Sequence, residues 1–283
     1  MKYLNEYVNH MRGNKKSEGT IHEYVMNLTK VFNEIGKNED AVSYEDIEKY
    51  KLSIASLSSS TICTRISALK SYYKFLMQRR YVEVNPVEYT DCPKIKNKEK
   101  IPLTGEQIRS MIAKTNSART KAFIMALATT GMRIAELASV TIDDYNNRMG
   151  NTIIITGKGD KERRVTFPDE AIAYIDKYIA TERNAHATKT GTNLLFVSNH
   201  GTAFAAGNMG EQLKKIAKEA GIPQWNKVCN HLMRTTCATL AIRNGVELPT
   251  IQKMLGHSNI NTTTRYAKIA DETVANAMAT MKF

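Results

Sequence analysis

The segment NTIIITGKGDKERRVTF, residues 151–167, decides the fold class. It contains two runs rich in β-branched residues, and a glycine-rich turn joins them. β-Branched residues favour strands and glycine favours tight turns, so this segment predicts a β-hairpin. A further candidate strand is NLLFVS, residues 193–198. Because the other periodic segments are helical, we predict a mainly α protein with a small β-hairpin or sheet, in the α+β class.

Two segments in the first ninety residues carry apolar side chains at helical spacing. HEYVMNLTKVFNEIG, residues 22–36, predicts a helix that Gly36 ends. TICTRISALKSYYKFLMQRR, residues 61–80, predicts another helix, which a serine at 58–60 caps. The polar faces of these helices hold five basic residues, namely Arg65, Lys70, Lys74, Arg79 and Arg80. An ordinary solvated surface and a phosphate-binding surface both fit this pattern.

The segment DCPKIKNKEKIPLT, residues 91–104, separates the chain into two parts. It has two prolines, several lysines and no hydrophobic periodicity, which indicates an extended basic linker. We therefore predict a helical domain over residues 1–92, a linker over 93–101 and a mixed domain over 102–283.

The second part contains further helical patterns around the hairpin. The apolar segment TKAFIMALATT, residues 120–130, predicts a buried helix ended by Gly131. Another helix should begin at Pro168, because two acidic residues follow the proline in the first turn. The remaining predicted helices lie near residues 105–115, 209–220, 232–243 and 249–255.

The charge of the chain favours a polyanionic partner. The formal net charge is +12 over 283 residues, and 42% of the residues are apolar, which is enough for a globular core. Nucleic acid and a merely basic surface are both compatible with this charge. No apolar run approaches the roughly 20 residues that cross a bilayer, and the first residues lack a signal-peptide core. We expect a cytoplasmic protein that does not associate with a membrane.

Several polar residues are candidates for phosphate chemistry. The sequence lacks a Walker-type loop, a GxGxxG loop and a carboxylate cluster suited to two metals, so we expect neither a metal nor another cofactor. A phosphate site without metal needs arginines, whose planar fork binds two oxygens. TGMRIAEL places Arg133 three residues before Glu136, and HLMR places His231 three residues before Arg234. Either pair alone also fits an ordinary surface or helix contact.

Three more residues complete the candidate set. Lys158 lies between two glycines in the predicted hairpin turn, where a solvated lysine is the common case. His257 follows Gly256, and Tyr266 lies nine residues further on in the polar stretch GHSNINTTTRYAKI. A tyrosine at such a position serves in packing, as a hydrogen-bond donor or as a nucleophile.

The order of these motifs resembles that of the tyrosine recombinase (phage integrase) family, especially its compact Xer-like members. The matching segments are TGMRIAEL, GKGDKERRV, HLMRTTCATL and LGHSNINTTTRYAKI. In addition, SSSTICTRISALKSYYKFL is similar to the DNA-binding N-terminal domain of the family. The resemblance implies a helical core-binding domain and a mixed catalytic domain that close around duplex DNA as a C-shaped clamp. It makes Arg65, Lys70, Lys74 and Arg79 candidates for DNA contacts.

The resemblance also implies a role for each candidate in DNA strand cleavage. Tyr266 would attack the scissile phosphate and form a 3′-phosphotyrosyl link. His231 would assist proton transfer at this nucleophile, and Lys158 would protonate the leaving 5′-oxygen.

The other implied roles concern charge. Arg133 and Arg234 would bind the non-bridging oxygens, His257 would hydrogen-bond the phosphate, and Glu136 would support the site.

The implied activity is site-specific DNA recombination through a Holliday junction, without metal or ATP, by a homotetramer on two DNA sites. A C-terminal helix, DETVANAMATM at residues 271–281, would dock on the neighbouring protomer or on its own domain. Alternatives are a monomer similar to type IB topoisomerases and a non-catalytic DNA-binding protein of the same fold. Chromosome dimer resolution, integration of a mobile element and DNA inversion all fit, with or without a second recombinase.

Overall fold

The computed structural model describes residues 1–95, 101–156, 162–203 and 206–256. The chain divides into two compact units, Met1–Glu99 and Lys100–Phe283. The predicted boundaries at residues 92 and 101 stay predictions. Within the described ranges, every helix is too short or too polar to cross a membrane.

The first unit is built from helices that begin and end where local sequence favours it. They are α1 Leu4–Gly13, α2 Glu18–Ile35, α3 Tyr44–Ser53 and α4 Ser59–Gln78, with a short 3₁₀ helix at Glu39–Ala41. The backbone of Gly36 is left-handed, with φ of 70°, and ends α2 as predicted. The side chain of Ser58 accepts a hydrogen bond from the Thr61 amide at 3.1 Å and caps α4.

A carboxylate lies inside the aromatic core of this unit. Glu39 is buried, and one of its oxygens accepts hydrogen bonds from the Tyr72 hydroxyl at 2.7 Å and the Tyr3 amide at 3.3 Å. The Tyr73 hydroxyl donates to the Glu39 carbonyl at 2.9 Å. These bonds compensate the carboxylate for lost hydration, and they join the 3₁₀ helix to α4.

In the part that the structure describes, the second unit is helical around one hairpin. Its helices are α5 Gly105–Lys114, α6 Ala118–Thr130, α7 Ile134–Ser139, α8 Ile142–Asn146, α9 Asp169–Tyr178, α10 Asn184–Ala187, α11 Ala206–Glu219, α12 Asn230–Arg243 and α13 Leu248–Leu255. A π-helical turn at Ile179–Arg183 joins α9 to α10, and a 3₁₀ turn at Trp225–Lys227 precedes α12. The central helix α6 is buried on nearly all sides and packs against α5, α9 and α12. Its predicted burial and its end at Gly131 are confirmed.

The two strands of the predicted hairpin are confirmed, and its turn, residues 157–161, lies outside the described residues. Strands β1 Thr152–Thr156 and β2 Glu162–Thr166 are antiparallel, and Ile155 lies opposite Arg163. On β1, Ile153 and Ile155 are buried and Ile154 between them is exposed, as the period of two in a strand requires. On β2, Val165 opposite Ile153 is also buried.

The segment 193–198 differs from the prediction, because it forms isolated bridges rather than a strand. Its backbone groups bind partners other than a neighbouring strand. The Leu195 amide donates to the Val140 carbonyl at 2.8 Å, and the Arg183 guanidinium donates to the Leu194 carbonyl at 2.8 and 3.0 Å. Phe196 and Val197 are buried, so the apolar run that suggested a strand serves the core.

Candidate active site

Arg133 is the N-cap residue of α7 and has extended backbone, with φ of −69° and ψ of 148°. Its amide donates to Glu136 Oε2 at 2.6 Å, and its Nη1 donates to Glu136 Oε1 at 2.7 Å. An acidic residue in the first turn satisfies an amide that the helix leaves unpaired. The bond from Nη1 places the guanidinium of Arg133, although 40% of this side chain remains exposed.

Arg163 on β2 is a second partner of Glu136 that our sequence reasoning missed. Its Nη1 and Nη2 donate to Glu136 Oε1 and Oε2 at 2.9 and 2.7 Å, which is a bidentate ion pair. Both side chains are buried, with 10% of Arg163 and 6% of Glu136 exposed. The alternation along β2 was an available signal, because residue 163 shares the face of the apolar Val165.

The environment of Glu136 keeps it ionised. Burial opposes the charged form, but the hydrogen bonds from Arg163 and Arg133 outweigh burial and lower the pKa of Glu136 to about 2. Arg133 and Arg163 are therefore held around one permanent negative charge at neutral pH.

Arg234 lies in the first turns of α12, and its side chain is directed into the protein. The residue is only 5% exposed. Its Nη1 donates to the Gly131 carbonyl at 2.6 Å, and its Nη2 donates to the Leu255 carbonyl. These carbonyls belong to the C-terminal ends of α6 and α13, where helices leave acceptors unpaired. Arg234 thus joins two helix ends, one of them two residues before Arg133.

Gly131 fits a crowded position beside Arg234. Its φ is 61°, and a Cβ atom there would lie 2.5 Å from Leu255 Cδ2 and 3.3 Å from Cys237 Sγ. The Cys237 thiol donates to the Thr129 carbonyl at 3.3 Å, and burial raises the pKa of this thiol to about 12. Cys237 is therefore a buried packing residue in its neutral form.

The other candidates are only partly described. His231 lies in the first turn of α12 and is exposed, and its carbonyl accepts a hydrogen bond from the Thr235 hydroxyl at 3.1 Å. Lys158, His257 and Tyr266 lie outside the described residues. From the predicted set, the described part of the chain joins Arg133 to Glu136 and binds Arg234 to Gly131, two residues before Arg133.

The candidate DNA contacts of the first unit divide into two groups. Arg65 is half-buried, and its Nη1 donates to the Tyr50 hydroxyl at 3.0 Å. Its guanidinium is therefore bound by a residue of α3, and its contact with DNA stays a prediction. Lys74 and Arg79 are exposed, and Lys70 is half-buried on the same side of α4 as Lys74. Lys74 and Arg79 keep the solvent-facing position that the sequence indicated.

The chain is similar to known proteins over most of its length. The phage integrase family matches residues 102–273, and the phage integrase N-terminal SAM-like domain matches residues 4–80. The tyrosine recombinase XerD of Staphylococcus haemolyticus is 33% identical over 219 residues, covering 75% of this chain and 73% of that protein. XerD of Oceanobacillus iheyensis is 30% identical over 265 residues, covering 89% and 88%.

Two solved structures have similar folds. The XerA recombinase matches with a TM-score of 0.57 and 29% identity, covering 100% of this chain and 99% of that one. The XerH site-specific recombinase bound to palindromic difH substrate matches with a TM-score of 0.73 and 23% identity, covering 92% and 79%.

The family match and the relatives define a DNA breaking and rejoining enzyme of the tyrosine recombinase class. This chain belongs to the phage integrase family and acts on DNA in site-specific recombination. The comparisons do not favour the alternative of a topoisomerase-like monomer or a non-catalytic DNA-binding protein.

Replacing Gly131 by alanine tests the crowding at the Arg234 site. Gly150 is a matched control, because its φ is also 61° but its added Cβ would meet no atom within 4 Å. We expect Gly150→Ala to lose about 1–2 kcal/mol from backbone strain alone. Gly131→Ala should lose a further 1–3 kcal/mol or so from overpacking. Urea unfolding of the full chain measures both, and equal losses would contradict the crowding.

The lowered pKa of Glu136 predicts a pH-dependent contribution to stability. A carboxylate with a depressed folded-state pKa stabilises the protein above its unfolded pKa, and this contribution is lost as pH falls through the folded pKa. The fall from 4.5 to about 2 corresponds to on the order of 3 kcal/mol. Glu136→Gln should therefore be less stable than the wild type at pH 7, and the difference should shrink below about pH 4.5. Unfolding free energies measured from pH 7 to pH 3 test this, and a constant difference would refute it.

Proposed function

We propose that the protein cuts and rejoins DNA strands through a 3′-phosphotyrosyl intermediate on Tyr266 and a Holliday junction. The observation that carries this proposal is the fixed yet accessible guanidinium of Arg133. Glu136 determines its position, and 40% of the side chain remains open to a substrate. A preorganised cation of this kind stabilises the charge that develops on a phosphate during its transfer.

The proposal assigns the second phosphate-binding arginine to Arg234. Its bond to the Gly131 carbonyl brings α12 to the segment that leads into Arg133. Arginine is suited to this task because it stays charged and offers donors in a planar fork. The anchoring to two helix ends holds the cation in place without reorganisation during the reaction.

The remaining roles follow from the chemistry of a phenol nucleophile. A phenol with a pKa near 10 is only about 0.1% ionised at neutral pH, so it needs a proton acceptor and nearby cations. In the proposal, His231 assists this proton transfer, Lys158 protonates the leaving 5′-oxygen and His257 hydrogen-bonds the phosphate. Because the covalent link conserves the phosphodiester energy, rejoining needs no ATP, and we assign no metal to the reaction.

We further propose that the helical domain, residues 1–92, and the catalytic domain, residues 102–283, both bind the DNA, with the basic segment 93–101 as a linker. Lys70, Lys74 and Arg79 would contact phosphates, because their side of α4 faces solvent. The net charge of +12 supports this proposal, since phosphate contacts supply much of the affinity of DNA-binding proteins.

The assembly we propose is a homotetramer on two DNA sites in the cytoplasm, in which each protomer donates its C-terminal helix to a neighbour. The sequence supports it with an apolar stripe of Val274, Ala277, Met278 and Met281. A short amphipathic helix is unstable alone and needs a docking surface. Head-to-tail docking is heterologous, and such contacts close into a ring.

Tyr266→Phe tests the chemistry, because it removes the one oxygen that would form the covalent bond. We expect no covalent adduct with a nicked suicide DNA substrate, while DNA affinity stays near that of the wild type. Tyr89→Phe is the control, because Tyr89 is highly exposed in the first unit. Denaturing gels measure the adduct, and an adduct formed by the Tyr266→Phe variant would place the nucleophile elsewhere.

Deleting the residues after Ile269 tests the assembly. We expect one-site DNA binding to persist, but synapsis and recombination to be lost. Met278→Asp should have the same effect, because a charge is costly in an apolar docking surface. Lys282→Asp, outside the apolar stripe, is the control. Gel shifts and native mass spectrometry measure the complexes, and tetrameric synapses at wild-type yield would contradict helix exchange.

A further inference from the structure

We propose that Arg163 is a positioning residue that acts through Glu136 to set the place of the Arg133 guanidinium. This inference rests on the proposed function, in which Arg133 binds the scissile phosphate. It adds to the predicted catalytic set a residue that does not itself contact the phosphate.

The Glu136 carboxylate is saturated with hydrogen bonds. It accepts four hydrogen bonds from described residues, two on each oxygen. A carboxylate offers about four lone-pair positions, so these bonds fill them. Arg163 takes two positions and the Arg133 amide takes one, which leaves one for the Arg133 guanidinium.

This saturation limits how the Arg133 guanidinium is bound. Because Glu136 offers the Arg133 guanidinium one acceptor position, the pair is not a bidentate fork. Without Arg163, both carboxylate oxygens would gain open positions, and a buried charge with unfilled positions attracts a cation strongly. Glu136 would then compete with a DNA phosphate for Arg133. Arg163 thus sets how firmly Arg133 is held and in which orientation.

Arg163 is itself held in place by the surrounding elements. Its backbone is paired with Ile155 in the hairpin, and its side chain is only 10% exposed. Its Cδ also lies near the end of α13, where a Cβ atom on Gly256 would approach it to 3.0 Å. Gly256 has φ of 63° and directly precedes His257. Arg163 therefore connects β2, α7 and the end of α13, and both of its Nη atoms donate to Glu136.

The adjacent Arg164 offers a matched control. It has the same charge and lies on the same strand, but its side chain is exposed on the other face. We compare Arg163→Met, Arg163→Lys and Arg164→Met. Each is assayed for DNA affinity by gel shift and for single-turnover cleavage of a nicked suicide substrate, with thermal unfolding as a check on folding.

We expect Arg163→Met to slow cleavage by about tenfold to a hundredfold, while DNA affinity changes by less than about threefold. Arg163→Lys keeps the charge without the fork, so its cleavage rate should fall between those of the wild type and Arg163→Met. Arg164→Met should cleave within about twofold of the wild type. If Arg163→Met does not fold, the Arg163→Lys variant decides. A cleavage rate for Arg163→Lys equal to that of Arg164→Met would overturn the proposal.

A double-mutant cycle separates positioning from general support of the fold. If Arg163 acts through Glu136, adding Arg163→Met to Glu136→Gln should slow cleavage little further. If the two losses multiply instead, Arg163 acts by another route and the proposal is overturned. A wild type that forms no Tyr266 adduct would refute the proposed function, and this inference falls with it. A normal wild-type adduct with undiminished cleavage by Arg163→Met would refute this inference alone.

Discussion

The carboxylate of Glu136 is the interaction on which the rest of the site depends. It is buried, and burial of a charge is costly unless hydrogen bonds replace the lost water. Arg163 supplies two of these bonds from β2, and Arg133 supplies two from the start of α7. Breaking such a pair from one side leaves an uncompensated buried charge. The hairpin and the helix are therefore fixed relative to each other by one side chain.

Arg234 makes a second set of connections that are independent of Glu136. It binds the carbonyls at the ends of α6 and α13, and so satisfies acceptors that helices leave unpaired. The close approach at Gly131 allows this contact, because a side chain there would overlap Leu255. The two arginines of the proposed phosphate site thus owe their positions to different partners, one to a carboxylate and the other to the main chain. Each can be disturbed separately by mutation.

Much of the site follows from spacing along the chain. Residues three apart on a helix turn lie close together, so the pairing of Arg133 with Glu136 was predictable. The inward direction of Arg234 was not, because its acceptors lie 103 and 21 residues away in the sequence. Arg65 shows the same limit. The helix pattern placed it on a polar face, but it did not show that the Arg65 guanidinium donates a hydrogen bond to the Tyr50 hydroxyl of α3.

The sequence by itself determined the helices α2, α4, α5, α6, α9, α11, α12 and α13, several of their caps and ends, the two strands and the ordered motifs of the family. These features depend on local preferences: periodicity, capping side chains and glycines with left-handed backbone. The tertiary structure alone decided that residues 193–198 form no strand, because their backbone groups find partners at Val140 and Arg183. It alone revealed Arg163 as the partner of Glu136, 27 residues away. Long-range contacts of this kind depend on how the elements pack, and no local preference specifies the partner.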